Sequence, residues 1–315
     1  TSIPFCPSLC SYCSFGSELA RDKSILRYIP ELKKEINECG RLFRESGKSI
    51  ESVYFGGGTP TSLNAMELVS LFNSLEHSFD IKLRDIETTV EAGRPDTIDK
   101  DRLRAIKEFG VRRISINPQS MNDETLKKIG RSHSSDDIRN AFKLAREYEF
   151  EVINSDVIAG LPDETADDIE NTIKKLIDIG ANNITVHTLS VKRGSKLKQE
   201  DPDYHLRGVQ EVEAMLDNAS NILHAAGFVP YYVYRQKHQM GSFENTGWCI
   251  PGLHSLYNIR IMEEMQTIIG LGAGAIGKRY FPSENRLERI PNINDYRMYV
   301  ERIDNIIARK HKYFD

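Results

Sequence analysis

Residues 50–79 read IESVYFGGGTPTSLNAMELVSLFNSLEHSF and combine the two patterns that recur along the chain. Residues 50–55 form a short β-rich run that ends in glycines. Residues 65–79 carry apolar side chains three and four positions apart, which is typical of an amphipathic helix. Repetition of such pairs predicts βα units around a parallel sheet. The further predicted strands cover 86–92, 113–117, 152–159 and 184–189, and the further predicted helices cover 23–45, 100–109, 136–148 and 166–179.

The regular alternation ends near residue 226. A long helix is predicted over 203–226 and an aromatic strand over 228–234, followed only by a strand over 267–271 and a charged helix over 295–310. The first barrel strand is expected at or before Ile3. The predicted fold class is therefore α/β, with a partial (β/α)6 TIM-like barrel over 1–226 and a small carboxy-terminal α+β extension over 227–315 that covers the substrate side.

The composition is that of an ordinary globular chain. Of 315 residues, 39% are hydrophobic and 28% charged, which excludes disorder and fibres. The 42 basic and 46 acidic residues leave a net charge of -4, so the general basic excess of a nucleic-acid binder is missing. No run approaches the ~20 apolar residues of a membrane span, and the first residues do not resemble a secretory signal. We expect a cytoplasmic protein.

Three of the five cysteines, Cys6, Cys10 and Cys13, lie in the segment CPSLCSYC. The odd total and the tight spacing argue against a disulfide framework and favour thiolate ligation of metal. Three thiolates can hold three irons of a 4Fe-4S cluster and leave the fourth iron open. The alternative, a zinc site, needs a fourth Cys or His at short range, and none has suitable spacing. Cys39 and Cys249 have no partner pattern and are given no role.

Polar residues and glycines follow the predicted strands, where a barrel places its ligand site. Three glycines and TPT follow strand 50–55, so that backbone can approach a ligand there. Further polar side chains lie at the later strands: Glu91 ends strand 86–92, Asp156 lies on strand 152–159, Gln119 and Ser190 follow strands 113–117 and 184–189, and Arg131 lies in the segment IGRSHS. An arginine suits a carboxylate, and glutamine or aspartate suits ribose hydroxyls. Each could equally serve as a helix cap, a loop hydrogen bond or a salt bridge.

The cysteine spacing resembles that of the radical S-adenosylmethionine superfamily, in which the cofactor chelates the open iron of the 4Fe-4S cluster. The run GGGTPT at 56–61 is similar to that of the oxygen-independent coproporphyrinogen III oxidases within it. The resemblance implies cluster ligands at Cys6, Cys10 and Cys13. It further implies contacts with S-adenosylmethionine at Tyr12, Gly57, Gly58, Thr59, Glu91, Gln119, Arg131, Asp156 and Ser190.

The distal segments 232–248, 256–264, 268–281 and 284–292 resemble the coproporphyrinogen dehydrogenase-like branch of Firmicutes-type bacteria. Members of that branch carry a further amino-terminal domain, which we expect to be missing from this chain. One position departs from the best-known oxidases, because Phe15 stands where they have a fourth cysteine. Haem chaperones and some methyl-transferring relatives also lack that cysteine.

Residues 272–277 read GAGAIG, which spells a dinucleotide-binding pattern. No long apolar helix follows, so a close backbone approach to substrate or core is the better interpretation. The aromatic and basic segment 231–237 suits a macrocycle with propionates, and Arg235 and Lys237 are therefore candidate substrate contacts. The alternative is a solvated strand edge.

The resemblance implies a radical enzyme that decarboxylates the propionates of coproporphyrinogen III to vinyl groups in haem biosynthesis. A 5'-deoxyadenosyl radical from the reduced cluster and its cofactor would abstract a hydrogen atom from the propionate. A reductant such as flavodoxin or ferredoxin is the implied partner, and the oligomeric state is not predicted. Two alternatives stay open: a haem chaperone, and a methyltransferase acting on another aromatic substrate.

Overall fold

The computed structural model describes residues 1–13, 18–191, 194–206, 208–236 and 239–314. Its main feature is an eight-stranded sheet, with strands in the order β1-β4-β5-β6-β7-β8-β10-β9 and two further two-stranded ladders, β2-β3 and β11-β12. The strands are β1 Ser2–Ile3, β2 Phe5–Cys6, β3 Glu18–Leu19, β4 Ser52–Gly57, β5 Glu87–Gly93, β6 Arg113–Ile116, β7 Val152–Ala159, β8 Asn183–Thr188, β9 Val229–Tyr234, β10 Asn245–Cys249, β11 Ile276–Phe281 and β12 Arg286–Pro291.

Helices follow most of the parallel strands. They are α1 Asp22–Glu45, α2 Ala65–Phe79, α3 Lys100–Glu108, α4 Asp123–Lys128, α5 Ser135–Glu147, α6 Ala166–Ile179, α7 Lys196–Glu200, α8 Val209–Ala225, α9 Leu256–Glu263, α10 Tyr296–Glu301 and α11 Ile303–Ala308. The helices predicted over 65–79 and 166–179 match α2 and α6 at both ends. Within the described ranges, no helix is long and apolar enough to cross a membrane.

Local sequence explains where these helices begin. Asn64 and Glu67 form a capping box at α2, and Ser134 with Asp137 forms another at α5. Each box satisfies backbone N–H groups that the first helical turn would leave unpaired. The helices then turn an apolar stripe onto the sheet, which includes the fully buried Phe72 of α2 and Phe142 of α5.

Six strands, β1 and β4 to β8, are parallel neighbours, which confirms the predicted partial (β/α)6 barrel. Ser2 and Ile3 pair with Gly56 and Gly57, so the first barrel strand lies where it was expected. Strand β10 pairs antiparallel with both β8 and β9. Strands β9 and β10 therefore extend the same sheet beyond residue 226. A domain boundary between 226 and 227 stays a prediction.

The carboxy-terminal region differs most from expectation. The strand predicted over 267–271 is wrong, because only Ile268 forms a bridge there, with Lys278, while the backbone of Gly270 bonds to the side chains of Tyr313 and Lys310. The helix predicted over 295–310 divides into α10 and α11 at Arg302, whose backbone is not helical. The helix predicted from 203 begins only at Val209, after a left-handed Gly208.

Candidate functional site

The cysteine loop lies at the edge of the sheet where the parallel strands end. Cys6 closes β2, while Cys10 and the exposed Cys13 lie in the loop that follows. The backbone N–H of Ser11 donates to the Ile129 carbonyl at 3.0 Å, and the N–H of Leu197 donates to the Ser11 carbonyl at 2.9 Å. The loop is therefore held from both sides by segments that follow β6 and β8.

The glycine run fits closely against the first strands. Gly57 has φ +111, a conformation that favours glycine. A Cβ atom on Gly58 would lie 2.6 Å from the Phe5 carbonyl oxygen and 2.9 Å from the Cys6 sulfur. The hydroxyl of Thr59 donates to the same sulfur at 3.4 Å. The run thus brings backbone up to the cysteine loop, while its predicted contact with a cofactor stays a prediction.

Arg131 and Tyr12 meet beside the loop. The Arg131 guanidinium donates to the Asn117 carbonyl at 2.6 Å and to the Tyr12 hydroxyl at 3.3 Å. Although Arg131 is only 9% exposed, its Nε has no hydrogen-bond partner. Both ring nitrogens of the buried His133 also lack one; burial, together with the charges of Arg131 and Arg94, lowers the pKa of His133 to about 4. This region therefore holds unused buried donors.

Arg94 is a residue that the sequence interpretation missed. It follows β5 in the segment EAGRP and is only 3% exposed. Its Nη2 donates to the Ser8 hydroxyl at 2.7 Å, and its Nη1 lies 3.8 Å from the Cys10 sulfur. The available signal was its place at a strand end, which was used for Glu91 but not for Arg94.

Glu91 lies on β5 and lines a cavity of about 780 Å³, which Gly56 and Gly57 also line. Burial, with a smaller contribution from the negative charge of Asp156, raises the pKa of Glu91 to about 7. The Tyr54 hydroxyl donates to the Glu91 carboxylate, and the Tyr54 ring stacks on Tyr257 with 4.3 Å between centroids.

A cavity of about 590 Å³ lies next to the cysteine loop. Five residues selected from the sequence line it together: Tyr12, Cys13, Gln119, Asp156 and Ser190. Gln119 reaches it from a left-handed backbone, φ +71, which its N–H bond to the Asp156 carbonyl helps to hold. The fold thus brings together residues that are up to 178 positions apart between Tyr12 and Ser190.

Asp156 lies in a row of polar side chains that begins at the wall of this cavity. Burial by itself raises the pKa of Asp156, but interactions with His187 and Asn154 outweigh it, so that the pKa lies below its usual value. His187 Nε2 is 3.7 Å from the carboxylate, and its Nδ1 is 3.2 Å from the Tyr234 hydroxyl. Asp156 is therefore an ionised acceptor at neutral pH. His187 and Tyr234 were not selected from the sequence as cofactor contacts.

The candidate substrate contact Arg235 lies outside this cavity. Arg235 is exposed and forms an ion pair with Glu244, and it does not line the cavity, whereas its neighbour Gln236 does. Lys237 lies outside the residues that the structure describes. Phe15, the position of the missing fourth cysteine, also lies outside them. A substrate role for Arg235 and Lys237 stays a prediction.

The donor set of the loop fits an anionic iron-sulfur cluster. The loop carries three thiols, those of Cys6, Cys10 and Cys13, and two buried guanidinium groups lie beside it, those of Arg94 and Arg131. Thiolates are the ligands of such clusters, and buried cations offset their negative charge. Across the described part of the chain, no three His, Cys, Asp or Glu side chains are grouped closely enough to hold a single metal ion.

Comparisons with known proteins agree on one family. The protein-family model described as "Radical SAM superfamily" matches residues 1–176 of this chain. The coproporphyrinogen-III oxidase-like protein HemZ of Bacillus subtilis is 39% identical over 317 residues, which cover 99% of this chain and 63% of that protein. The haem chaperone HemW of Bacillus subtilis is 29% identical over 278 residues, which cover 87% of this chain and 69% of that protein.

Among solved structures, the coproporphyrinogen III oxidase HemN of Escherichia coli has a similar fold. The TM-score is 0.75 at 22% sequence identity, and the match covers 96% of this chain and 68% of that one. The chain thus spans a little under two thirds of its HemZ relative and slightly more of the other two.

Proposed function

Because the chain belongs to the radical S-adenosylmethionine superfamily, which uses a 4Fe-4S cluster and S-adenosylmethionine, we propose that it decarboxylates propionate side chains of coproporphyrinogen III to vinyl groups. One observation carries the proposal. Tyr12, Cys13, Gln119, Asp156 and Ser190 line a single cavity of about 590 Å³, so that cluster loop, cofactor contacts and substrate space adjoin. Relatives of this chain include coproporphyrinogen oxidases and haem chaperones.

The proposed roles follow from the chemistry of each side chain. The buried Arg131 keeps an unused Nε–H, which suits the carboxylate of the cofactor. Asp156 is ionised and Gln119 is fixed by its backbone, so both suit ribose hydroxyls. When bound, the cluster and its cofactor would supply a carbon radical that takes a hydrogen atom from the propionate side chain. Loss of carbon dioxide would then leave the vinyl group and release one electron, for which the oxidised form of the flavodoxin or ferredoxin is the acceptor.

The cavity itself offers both surfaces that a porphyrinogen needs. Apolar side chains of Ile158, Leu189 and Ile276 line one part of it. Amide side chains line another part, and they can donate hydrogen bonds to propionates: Gln236, Asn245 and Asn294. A wall of this kind keeps water away from a reactive carbon centre while it orients a polar side chain.

Anaerobic turnover tests the proposal. The protein, loaded with iron and sulfide and reduced by a flavodoxin or ferredoxin, is incubated with coproporphyrinogen III and S-adenosylmethionine. We expect 5'-deoxyadenosine together with a vinyl product that has lost carbon dioxide. Deoxyadenosine without decarboxylation, or a methylated product, would contradict the proposal and favour another radical reaction.

A haem-binding function is the second candidate, because the HemW relative is described as a haem chaperone. That function predicts stoichiometric haem binding to the loaded protein without cleavage of S-adenosylmethionine. The same anaerobic incubation, with haem in place of porphyrinogen, separates the two functions. Haem binding with no deoxyadenosine in either reaction would replace the decarboxylase proposal.

A further inference from the structure

Arg94 lies beneath the cysteine loop and has no place among the predicted cofactor contacts. Its guanidinium reaches the loop at two points: Nη1 donates to the Ser8 carbonyl at 3.1 Å, and Nη2 donates to the Ser8 hydroxyl at 2.7 Å. Nη1 also lies within hydrogen-bond range of the Cys10 sulfur, at 3.8 Å. One side chain from the end of β5 therefore holds both the loop backbone and one of its thiols.

The charge on Arg94 is only partly balanced. Its Nε pairs with Asp96 at 3.3 Å, but the Asp96 side chain is 28% exposed, whereas that of Arg94 is 3% exposed. Water screens the carboxylate more than the guanidinium, so the net field toward the loop is positive. Arg131, which donates to the Tyr12 hydroxyl, adds a second buried cation, while His133 stays neutral at pH 7 because its pKa is lowered.

We propose that Arg94 is a positioning residue that sets the reduction potential of the cluster held by Cys6, Cys10 and Cys13. Reduction adds one electron from the external one-electron carrier and breaks no bond, so it adds one negative charge to the cluster. A buried cation stabilises the reduced state more than the oxidised state, and hydrogen bonding to a ligand sulfur acts in the same direction. The inference rests on the proposed function only in requiring the cluster.

The shape of the side chain is part of the proposal. An arginine fork bonds Ser8 twice and still reaches the Cys10 sulfur. Lysine would keep the charge as a single compact ammonium and lose the fork. Arg94→Lys therefore separates the contribution of charge from that of loop geometry, and Arg94→Met removes both.

The experiment is a redox titration of the cluster-loaded protein without porphyrinogen. The paramagnetic signal of the reduced cluster measures how much of the cluster is reduced at each potential. For Arg94→Met we expect the equilibrium constant for reduction to fall about tenfold or more, which for a one-electron couple is ~59 mV toward negative potential. For Arg94→Lys we expect a fall of less than about threefold, because the charge remains.

Arg113→Met is the matched control. Arg113 is also buried, at 7% exposure, and donates to the carbonyls of Leu253 and His254, but among the described residues it has no hydrogen bond or ion pair with the cysteine loop. The reduction potential of the cluster in Arg113→Met should equal that in the wild-type protein. An unchanged potential in Arg94→Met would overturn the proposal, and so would an equal shift in Arg113→Met.

Iron and sulfide content is measured in each variant. If both Arg94 variants fail to hold the cluster, Arg94 serves assembly alone and the proposal is overturned. A wild-type protein that holds a cluster but forms no vinyl product leaves the Arg94 result standing and contradicts the proposed function instead.

Discussion

Two regions of this molecule bury charged side chains, and they differ in how completely those side chains are hydrogen-bonded. Between α1 and the carboxy-terminal helices, Glu35 and Lys310 are both 0% exposed and form an ion pair at 2.7 Å. The Glu35 carboxylate also accepts from Gly272 N–H, Asn292 and Tyr299, and the Lys310 ammonium also donates to Gly270 O and Asn292. This cluster leaves neither charge short of a partner.

Beneath the cysteine loop, by contrast, buried polar side chains lack hydrogen-bond partners. Arg131 keeps a buried Nε–H without a partner, and His133 keeps two ring nitrogens without one. Leaving a buried polar group unpaired costs ~1 to 3 kcal/mol. A folded chain that tolerates several such groups in one place has room there for a ligand that pairs with them, whereas the Glu35 cluster has none. The difference separates a structural cluster from a binding site.

The largest expected effect tests the structural cluster. Lys310→Met leaves Glu35 buried without its cation, so we expect the free energy of unfolding to fall by about 3 to 5 kcal/mol. Urea unfolding of the variant measures it. Arg41→Met, which breaks an exposed ion pair of the same α1 helix, is the control and should change stability little. A small loss in Lys310→Met would show that the cluster is not structural.

Arg131→Met tests the other region. We expect binding of S-adenosylmethionine to the loaded protein to weaken about 10- to 100-fold, since a charge-assisted hydrogen bond is worth ~1.5 to 3 kcal/mol. Titration calorimetry measures the affinity, and urea unfolding checks that stability falls less than in Lys310→Met. Equal affinity in variant and wild-type protein would remove Arg131 from the proposed binding site.

Gly58→Ala sharpens the comparison by filling space next to the loop. The added Cβ would meet the Phe5 carbonyl oxygen at 2.6 Å, so we expect a loss of about 1 to 3 kcal/mol together with reduced iron content. Iron analysis and urea unfolding of the same samples give both numbers. The control Gly252→Ala has a left-handed backbone but nothing within 4 Å of its Cβ, so iron content should stay normal.

The smallest effect concerns Glu91, a buried acid that lacks the cation Glu35 has. Because the pKa of Glu91 is raised to about 7, the folded state binds a proton that the unfolded state releases above its ordinary pKa. The raised pKa of Glu91 therefore adds to the free energy of unfolding in full below about pH 4.5, and this stabilisation is lost as the pH rises toward 7.

Glu91→Gln should thus be more stable than the wild-type protein at pH 8, by a difference on the order of 1 kcal/mol that vanishes at low pH. Thermal unfolding at several pH values measures the difference. Glu51→Gln is the control, because the Arg260 hydrogen bond lowers the pKa of that exposed carboxyl. A stability difference for Glu91→Gln that stays constant with pH would contradict this account.

Much of the barrel was predictable because its information is local. The apolar spacing in 65–79 and 166–179 and the polar residues before them define α2 and α6 to the residue. The cysteine spacing, likewise, is a property of eight consecutive residues. Parallel strands that end at one edge then predict that Gln119, Asp156 and Ser190 meet, and all three line one cavity.

Other features depend on contacts between distant segments. Strand β10 contains Gly247, which reads as a turn residue, yet the ring of Tyr232 packs where its side chain would be. Segment 267–271 has a strand-like composition, but side chains from 310 and 313 take the backbone bonds of Gly270. Neither the strand at Gly247 nor the absence of a strand over 267–271 can be predicted from the neighbouring residues in the sequence alone.

By itself, then, the sequence determined the βα order, the cysteine loop and the strand ends that carry polar groups, because periodicity and spacing act over a few residues. Tertiary structure alone decided which buried charges are fully paired. Glu35 meets Lys310 across 275 positions, and Arg94 meets Cys10 across 84. Burial and partner count, which set the energy of a charge, exist only once those segments are packed together.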